Sequence, residues 1–479
     1  MFFSMEIRTG LTYNDVLLIP KKTPLSSRSE TELKTIFTRN ISLNVPLVSS
    51  NMASVTEHKM AIAMARNGGL GVIHQFGTIE EQVEEVKKVK KSTSYIIEHP
   101  LTVQEHITLA QAIDTMKNEG VTSLLVLRGD ELVGIFTFRD YLFEKDMNKR
   151  ISEVMTTKER LVTAAYGISL EEAKEILHKH RIEKLPLMQH ERLLGLITTK
   201  DIMKIETWPQ ANRDSKGRLR VGAAVGVKDT LQRAEALIAA GVDVLILDIA
   251  HAHSDFVIER LKELKMHFSH IDVMVGNIAT ADAARDLIEA GADGLKVGIG
   301  PSPVCTTRII SGSGVPQLTA VMDVYSVAKL YGVPVCADGG MKYPGDVPKA
   351  LGAGATSVYS GSFFSGTDES PGMIIMKDGK RYKRYMGSAS YDSNHERKES
   401  QDGKKVKEKL DVFVEGVAAL VDYKGPVEEV IKGILKGVQS GFSYCGARTI
   451  QEMHEKAEFI QITTSAWEES LSHGMKLSD

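Results

Sequence analysis

The residues with the strongest claim to chemistry lie in one loop, GIGPSPVCTTR, where Cys305 follows Gly298 and Gly300 and precedes Thr306, Thr307 and Arg308. A small, partly exposed thiol beside a cation is the setting that lowers a thiol pKa and makes a nucleophile. The other cysteines read differently: Cys336 sits inside the apolar run VPVCAD and Cys445 in FSYCGA, the surroundings of inert buried thiols. Three cysteines without a C-x-x-C pair offer neither a disulfide framework nor a thiolate metal site, and they suit a reducing compartment. His251 and His253 in DIAHAHSD are two apart with acids on either side, but no third ligand cluster accompanies them, so metal catalysis is not expected.

A second set of candidates could hold an anion. ADGGMKYPGD carries Asp338, Gly339 and Gly340, and SGSFFSG carries Gly361 and Ser362. Gly-rich turns that lead into helices present unhindered backbone N–H groups to a phosphate, with the helix N-terminus adding favourable partial charge. Either turn alone reads as a tight connection. Two on adjacent late strands of a barrel read as the phosphate site of a nucleotide monophosphate.

These residues need elements to position them. From Leu219 onward the short apolar runs LRVGAAVG, VDVLILDIA, IDVMVGNIA, GLKVGIG, VPVCADGG and SVYSG alternate with Ala/Leu-rich helical segments closing in Gly, the pattern of repeated βα units. VPLVSSNM and LGVIH, each followed by a helical segment, bring the strands to eight and predict a (β/α)₈ TIM barrel of the α/β class. In such a barrel the C-terminal strand ends carry the chemistry, which adds Asp248 and Asn277 to the candidates.

Between about His99 and Ile205 the rhythm is interrupted by an internal repeat: Ile107, Leu109, Ala112, Val133, Gly134 and Asp140 are answered by Ile168, Leu170, Ala173, Leu194, Gly195 and Asp201. Each half reads helix, strand, hairpin, strand, then T-x-x-D opening another helix, and the pair resembles tandem cystathionine-β-synthase (CBS) modules inserted in the barrel. The expected organisation is 1–95 barrel, 96–207 regulatory CBS pair, and 208–479 barrel, with a charged stretch at about 377–411 forming a mobile flap. Thr137 with Asp140 and Thr198 with Asp201 either bind the ribose of a regulatory nucleotide or only cap helices.

A formal net charge of −3, from 59 basic and 62 acidic residues, provides no field to gather nucleic acid or an anionic membrane. No apolar stretch reaches the length of a membrane span, so the reading is a cytoplasmic protein with a small-molecule substrate.

Over nearly its whole length the sequence resembles the IMP dehydrogenase/GMP reductase family. GIGPSPVCTTRIISGSGVPQ looks like that family's active-site loop, and LTYNDVLLIP, GGLGVIH, DIAHAHS, EAGADGLKVGIGP, ADGGMKYPGD, GTDESPG and DYKGPV match family segments in the same order. The resemblance implies an oxidoreductase of purine nucleotide metabolism in which Cys305 bonds to purine C2 while hydride passes between that carbon and a nicotinamide. By motif position Ser50, Met52, Gly339, Met386 and Gly387 line the nucleotide, Asp338 holds the ribose, and Gly340, Gly361 and Ser362 hold the phosphate. Asp248 and Asn277 face the cofactor, and Thr307 and Glu415 handle protons.

Where this sequence departs from the family bears on the reaction. Arg397, followed by Lys398, is the nearest candidate for the Arg-Tyr that activates water. Asn51-Met52 looks like the reductase version of its segment, whereas SVTE, the CBS insert and the ending FIQITTSAWEESLSHG look like dehydrogenase. Ser302 and Pro303 replace a Gly and a Ser, which bears on a monovalent-cation (K⁺) site of backbone carbonyls at Gly300, Ser302 and Cys305 and on one phosphate contact. Tyr385 stands where a Gly is usual and Lys383 where a Tyr is usual. The expectation is NAD-dependent oxidation of IMP to XMP, with NADPH-dependent reductive deamination of GMP to IMP as the alternative and a catalytically inactive adenine-nucleotide sensor as the third reading. The resemblance further implies a homotetramer or octamer and an adenine or guanine nucleotide at the CBS pair.

Overall fold

Eight apolar runs too short for helices, each followed by a helical segment, leave the backbone polar groups of the strands one economical solution: parallel pairing around a closed ring. In the computed structural model, which describes residues 7–92, 95–388, 390 and 414–471 (backbone alone at 204 and 205), they are β1 (Leu47–Ser49), β2 (Leu70–Ile73), β3 (Gly222–Val225), β4 (Val244–Asp248), β5 (Asp272–Ile278), β6 (Gly294–Val297), β7 (Val335–Asp338) and β8 (Ser357–Ser360). Every pairing in the closed barrel is parallel, and β8 returns to β1 with Val358 opposite Leu47 and Ser360 opposite Ser49. All eight strands expected from the sequence are present, in the expected order, as a TIM-type α/β barrel.

The covering helices are α1 (His58–Arg66), α2 (Ile79–Ser92), α3 (Thr230–Ala239), α4 (Asp255–His267), α5 (Ala281–Glu289), α6 (Gln317–Ala328), α7 (Asp346–Gly352) and α8 (Val427–Cys445). Helix α5 shows the local logic: the Thr280 hydroxyl accepts the Ala283 N–H at its start, Ala283, Ala284, Leu287 and Ile288 bury one face, and Gly291 ends it at φ 102°.

Strand alternation fills the barrel and furnishes its mouth. Val244 and Ile246 on β4, Met274 on β5 and Cys336 on β7 belong to the buried core, with Phe37 and Leu43. Two residues beyond Ile246 and Cys336, the same inward face carries Asp248 and Asp338 at the C-terminal ends. On β5 the pairing shifts register between Gly276 and Ile278, as at a β-bulge, and it is Asn277 at this irregularity that lines the barrel mouth.

The chain divides into two compact units, one taking the barrel with Gln210–Asn212 and the other Thr93–Pro209 with Arg213–Arg218. In the second unit the helix Leu109–Asn118 and hairpin Ser123–Arg128/Glu131–Thr137 are matched by Leu170–His180 and Lys184–Gln189/Arg192–Thr198. Ser123 faces Thr137 as Lys184 faces Thr198, the pairing is interrupted after Val126 and again after Leu187, and the capping boxes of Thr108 and Ser169 also correspond. The sequence repeat is therefore a repeat of structure.

A three-stranded antiparallel sheet of β9 (Ile375–Lys377), β10 (Lys380–Met386) and β11 (Ala418–Asp422) stands where the expected flap begins. The charged sequence KRYKRYM forms a strand because Lys383 and Tyr385, two apart, both bury while Arg384 between them is exposed. Residues 391–413, which include Arg397, lie outside the described residues.

Candidate active site

The β-strand ends surround a cavity of about 550 Å³, within the roughly 300–1,000 Å³ typical of small-molecule sites. At its floor lies Lys296, the inward residue of β6, whose side chain is 3% exposed. Its Nζ donates to Asp248 at 2.7 Å, to Asp338 Oδ2 at 3.0 Å and to Asn277 Oδ1. Burial opposes the charge of this ammonium, but Asp248 and Asp338 outweigh that and hold its pKa above the ordinary lysine value. Asn277 Nδ2 donates to Asp338 Oδ2 at 2.8 Å and to the Gly298 carbonyl at 2.7 Å. Asn51 Nδ2 donates to Asp248 Oδ2 at 2.8 Å, and the Tyr359 hydroxyl donates to Asn51 Oδ1 at 2.7 Å. The residues that the resemblance divides between ribose and cofactor are thus joined through one buried cation.

Cys305 reaches the cavity from the loop after β6 and is neither core nor fully exposed. Its Sγ lies 3.2 Å from Thr307 Oγ1, which donates to Glu415 Oε2 at 2.7 Å. Backbone contacts fix the two segments: Thr306 N–H donates to the Glu415 carbonyl at 2.8 Å and Val417 N–H to the Val304 carbonyl at 2.9 Å. Arg308 braces the loop, its guanidinium donating to the Ile299 carbonyl at 3.1 Å and the Val315 carbonyl at 2.6 Å, and it also interacts electrostatically with Cys305. Burial pushes the Cys336 thiol up to about 12 and raises that of Cys445. Brief iodoacetamide treatment is therefore expected to alkylate Cys305 and spare Cys336 and Cys445, with IMP protecting Cys305; peptide mass mapping reads the outcome.

Ser50, Met52, Gly339, Gly361, Ser362 and Gly387 line the same cavity, while Gly340 and Met386 are adjacent to lining residues and outside the lining themselves. Gly339 and Gly340 both adopt φ 81°, a left-handed conformation that favours glycine. Gly300 and Ser302 also line the cavity, and the Ser302 carbonyl accepts the Cys305 N–H at 3.1 Å. In the other unit, Asp140 accepts from the Thr137 hydroxyl and N–H at 2.8 and 2.6 Å, and Asp201 accepts from the Thr198 hydroxyl at 2.6 Å, the geometry of helix caps. His253 pairs with Asp286 at 2.8 Å, and among the described residues no group of three His, Cys, Asp or Glu is placed to hold a metal.

A family model described as IMP dehydrogenase / GMP reductase domain matches residues 10–473. The chain belongs to the IMP dehydrogenase/GMP reductase family. It is 49% identical over 478 residues to an inosine-5'-monophosphate dehydrogenase of Nitrosopumilus maritimus, covering 99% of this chain and all of that one, and 46% identical to one of Aquifex aeolicus, covering 99% and 97%. Among solved structures it is similar to a GMP reductase variant of Trypanosoma brucei in complex with guanosine 5'-monophosphate, with TM-score 0.85, 42% identity and coverage of 98% and 99%.

Within this family barrel, sequence reasoning missed Lys296 and Tyr359 and undervalued Asn51. A signal for Lys296 existed: in GLKVGIG a lysine occupies the inward register of a strand buried on both faces, a position a charge holds only when paired. No helix among the described residues is long and apolar enough to cross a membrane.

Proposed function

We propose that this family member is an IMP dehydrogenase, oxidising IMP to XMP with NAD through a covalent bond between Cys305 Sγ and purine C2. The observation that carries the reading is the Cys305–Thr307–Glu415 chain opening into the cavity lined by both glycine turns and by Asp338. Asp338, anchored by Lys296 and Asn277, presents its carboxylate to ribose hydroxyls, and Gly361 and Ser362 present N–H groups to the phosphate. The residues fit a dinucleotide as well: Asp248 lines the cavity beside Gly226, where a Cβ would lie 2.5 Å from Gln75 Oε1. When bound, the nicotinamide supplies a hydride acceptor.

Cys305 enters as the thiolate and adds to C2, and the C2 hydrogen departs with its electron pair, leaving a neutral thioimidate. Water then adds to C2, one proton passing through Thr307 to Glu415 and the other staying with the product, and the S–C2 bond breaks to return the thiolate. Glu415 sheds its proton to solvent. Arg397 is the second candidate for activating that water.

Support for a CBS pair that senses an adenine or guanine nucleotide is the structural repeat together with the resemblance, support for a homotetramer is the resemblance alone, and support for a cytoplasmic location is the cysteine usage, which suits a reducing compartment. One lone pair of the Ser302 carbonyl is engaged within the loop, and no step is assigned to a monovalent cation at Gly300, Ser302 and Cys305.

Reductive deamination of GMP is the second reading, favoured by Asn51 holding Asp248 and by the Trypanosoma brucei neighbour. One assay decides. IMP with NAD is expected to produce nicotinamide absorbance and GMP with NADPH to leave it unchanged; turnover with GMP alone reverses the assignment.

A further inference from the structure

Two buried side chains at the cavity floor, neither given a chemical step, together hold one of its carboxylates. Tyr359, on β8, has its ring 5.2 Å from Lys296 Nζ, and Asn51 lies in the segment after β1. The two meet twice: the Asn51 backbone N–H donates to the tyrosine oxygen at 3.2 Å, and the tyrosine hydroxyl donates to Asn51 Oδ1 at 2.7 Å. This turns Asn51 Nδ2 toward Asp248, where it donates to Oδ2 at 2.8 Å. Lys296 holds the other carboxylate oxygen, Oδ1, at 2.7 Å.

An asparagine amide has two orientations related by exchange of its oxygen and nitrogen, and here the partners select one. Reversal would set Oδ1 against Asp248 Oδ2, two acceptors with no proton between them. Burial, reinforced by Asp248 and Asp338, raises the Tyr359 pKa well above its ordinary value, so the hydroxyl keeps the proton that it donates. Asp248 is therefore fixed in rotation: each oxygen accepts one bond from the protein and keeps a lone pair for a ligand. Asp338 is held by Lys296 and Asn277 instead, so the chain of bonds that starts at Tyr359 ends on Asp248.

We propose that Tyr359 is a positioning residue for the cofactor side of the cavity, acting through Asn51 to aim the Asp248 carboxylate at a dinucleotide. The proposal deepens the function above and rests on the placement of the cofactor at Asp248, not on the direction of the reaction. Both Tyr359 and Asn51 also line the cavity, so the experiment must separate a relay from direct contact with a ligand.

The test uses the full-length protein carrying Cys305→Ala, in which IMP and NAD can be bound together without turnover, and reads both affinities by calorimetric titration. Tyr359→Phe, which removes one oxygen and keeps the ring, is expected to weaken NAD about 3- to 10-fold, the span of one neutral hydrogen bond, and to leave IMP within about twofold. Asn51→Ala is expected to act in the same sense, and adding Tyr359→Phe to it is expected to produce no further loss, since residues that act in series are not additive. Tyr359→Met, which also lacks the hydroxyl, takes its place if Tyr359→Phe does not fold. No loss in Tyr359→Phe, an equal loss for NAD and IMP, or the same loss with and without Asn51→Ala overturns the relay. Asp248→Asn separates the two layers: it is expected to weaken NAD, and an unchanged NAD affinity there overturns the cofactor placement together with the relay that rests on it.

Discussion

Replacing Cys305 with alanine is expected to lower kcat for IMP oxidation by at least about 10⁴-fold, because a covalent nucleophile has no substitute within reach of the purine. The described cavity contains no second thiol: Cys336 is in the barrel core and Cys445 is buried at the end of α8. IMP should still bind, since Asp338 ends β7, the two glycine turns follow β7 and β8, and none of these involves the sulfur. Stability should change by less than about 0.5 kcal/mol, as the side chain is only half-buried and its removal leaves no core cavity. Single-turnover kinetics with calorimetry separate the two effects. A variant that keeps near-normal kcat would remove the nucleophile from the account.

The second large effect is expected at Lys296. Replacement by methionine keeps the length and leaves Asp248 and Asp338 facing one buried volume without their shared cation, a change that typically destabilises by about 3–5 kcal/mol. The bulkier guanidinium of Lys296→Arg does not reproduce the ammonium's geometry, yet this variant should recover most of the loss by restoring the charge. The midpoint of urea unfolding of the barrel measures it, and KM for both substrates should rise in Lys296→Met because the ammonium orients the two carboxylates together. The pH dependence has a definite sign. Because the folded protein holds the Lys296 pKa above 10.5, its contribution is complete below that pH and is lost as pH climbs through the higher folded value. Wild-type and Lys296→Met midpoints should therefore converge only in strong alkali.

The barrel was legible because its signals are local and repeated. Each strand is a short apolar run closed by Gly, Asp or Asn, and several of its helices end in a glycine whose positive φ the structure shows at Gly241, Gly291 and Gly354. Cys305, Asp248, Asn277 and Asp338 follow from the rule that barrel chemistry sits at strand ends. What was not legible depends on pairing across the barrel. Nothing near Lys296 in sequence announces Asp248 or Asp338, which are 48 and 42 residues away. The strand β10 was hidden by its composition: six of the seven residues in KRYKRYM are charged or aromatic, and only the burial of alternate residues, Lys383 and Tyr385, reveals a sheet. The T-x-x-D pairs show the converse, a motif whose local geometry is a capping box whatever else it does.

The most direct test of the covalent account is to mix the protein with IMP and NAD, quench in acid during turnover, and map the digested peptides by mass spectrometry. The account predicts a purine nucleotide attached to the peptide containing Cys305, lost on incubation that allows hydrolysis and absent without NAD. Steady turnover with that peptide unmodified throughout, or with the nucleotide on any other residue, would contradict it.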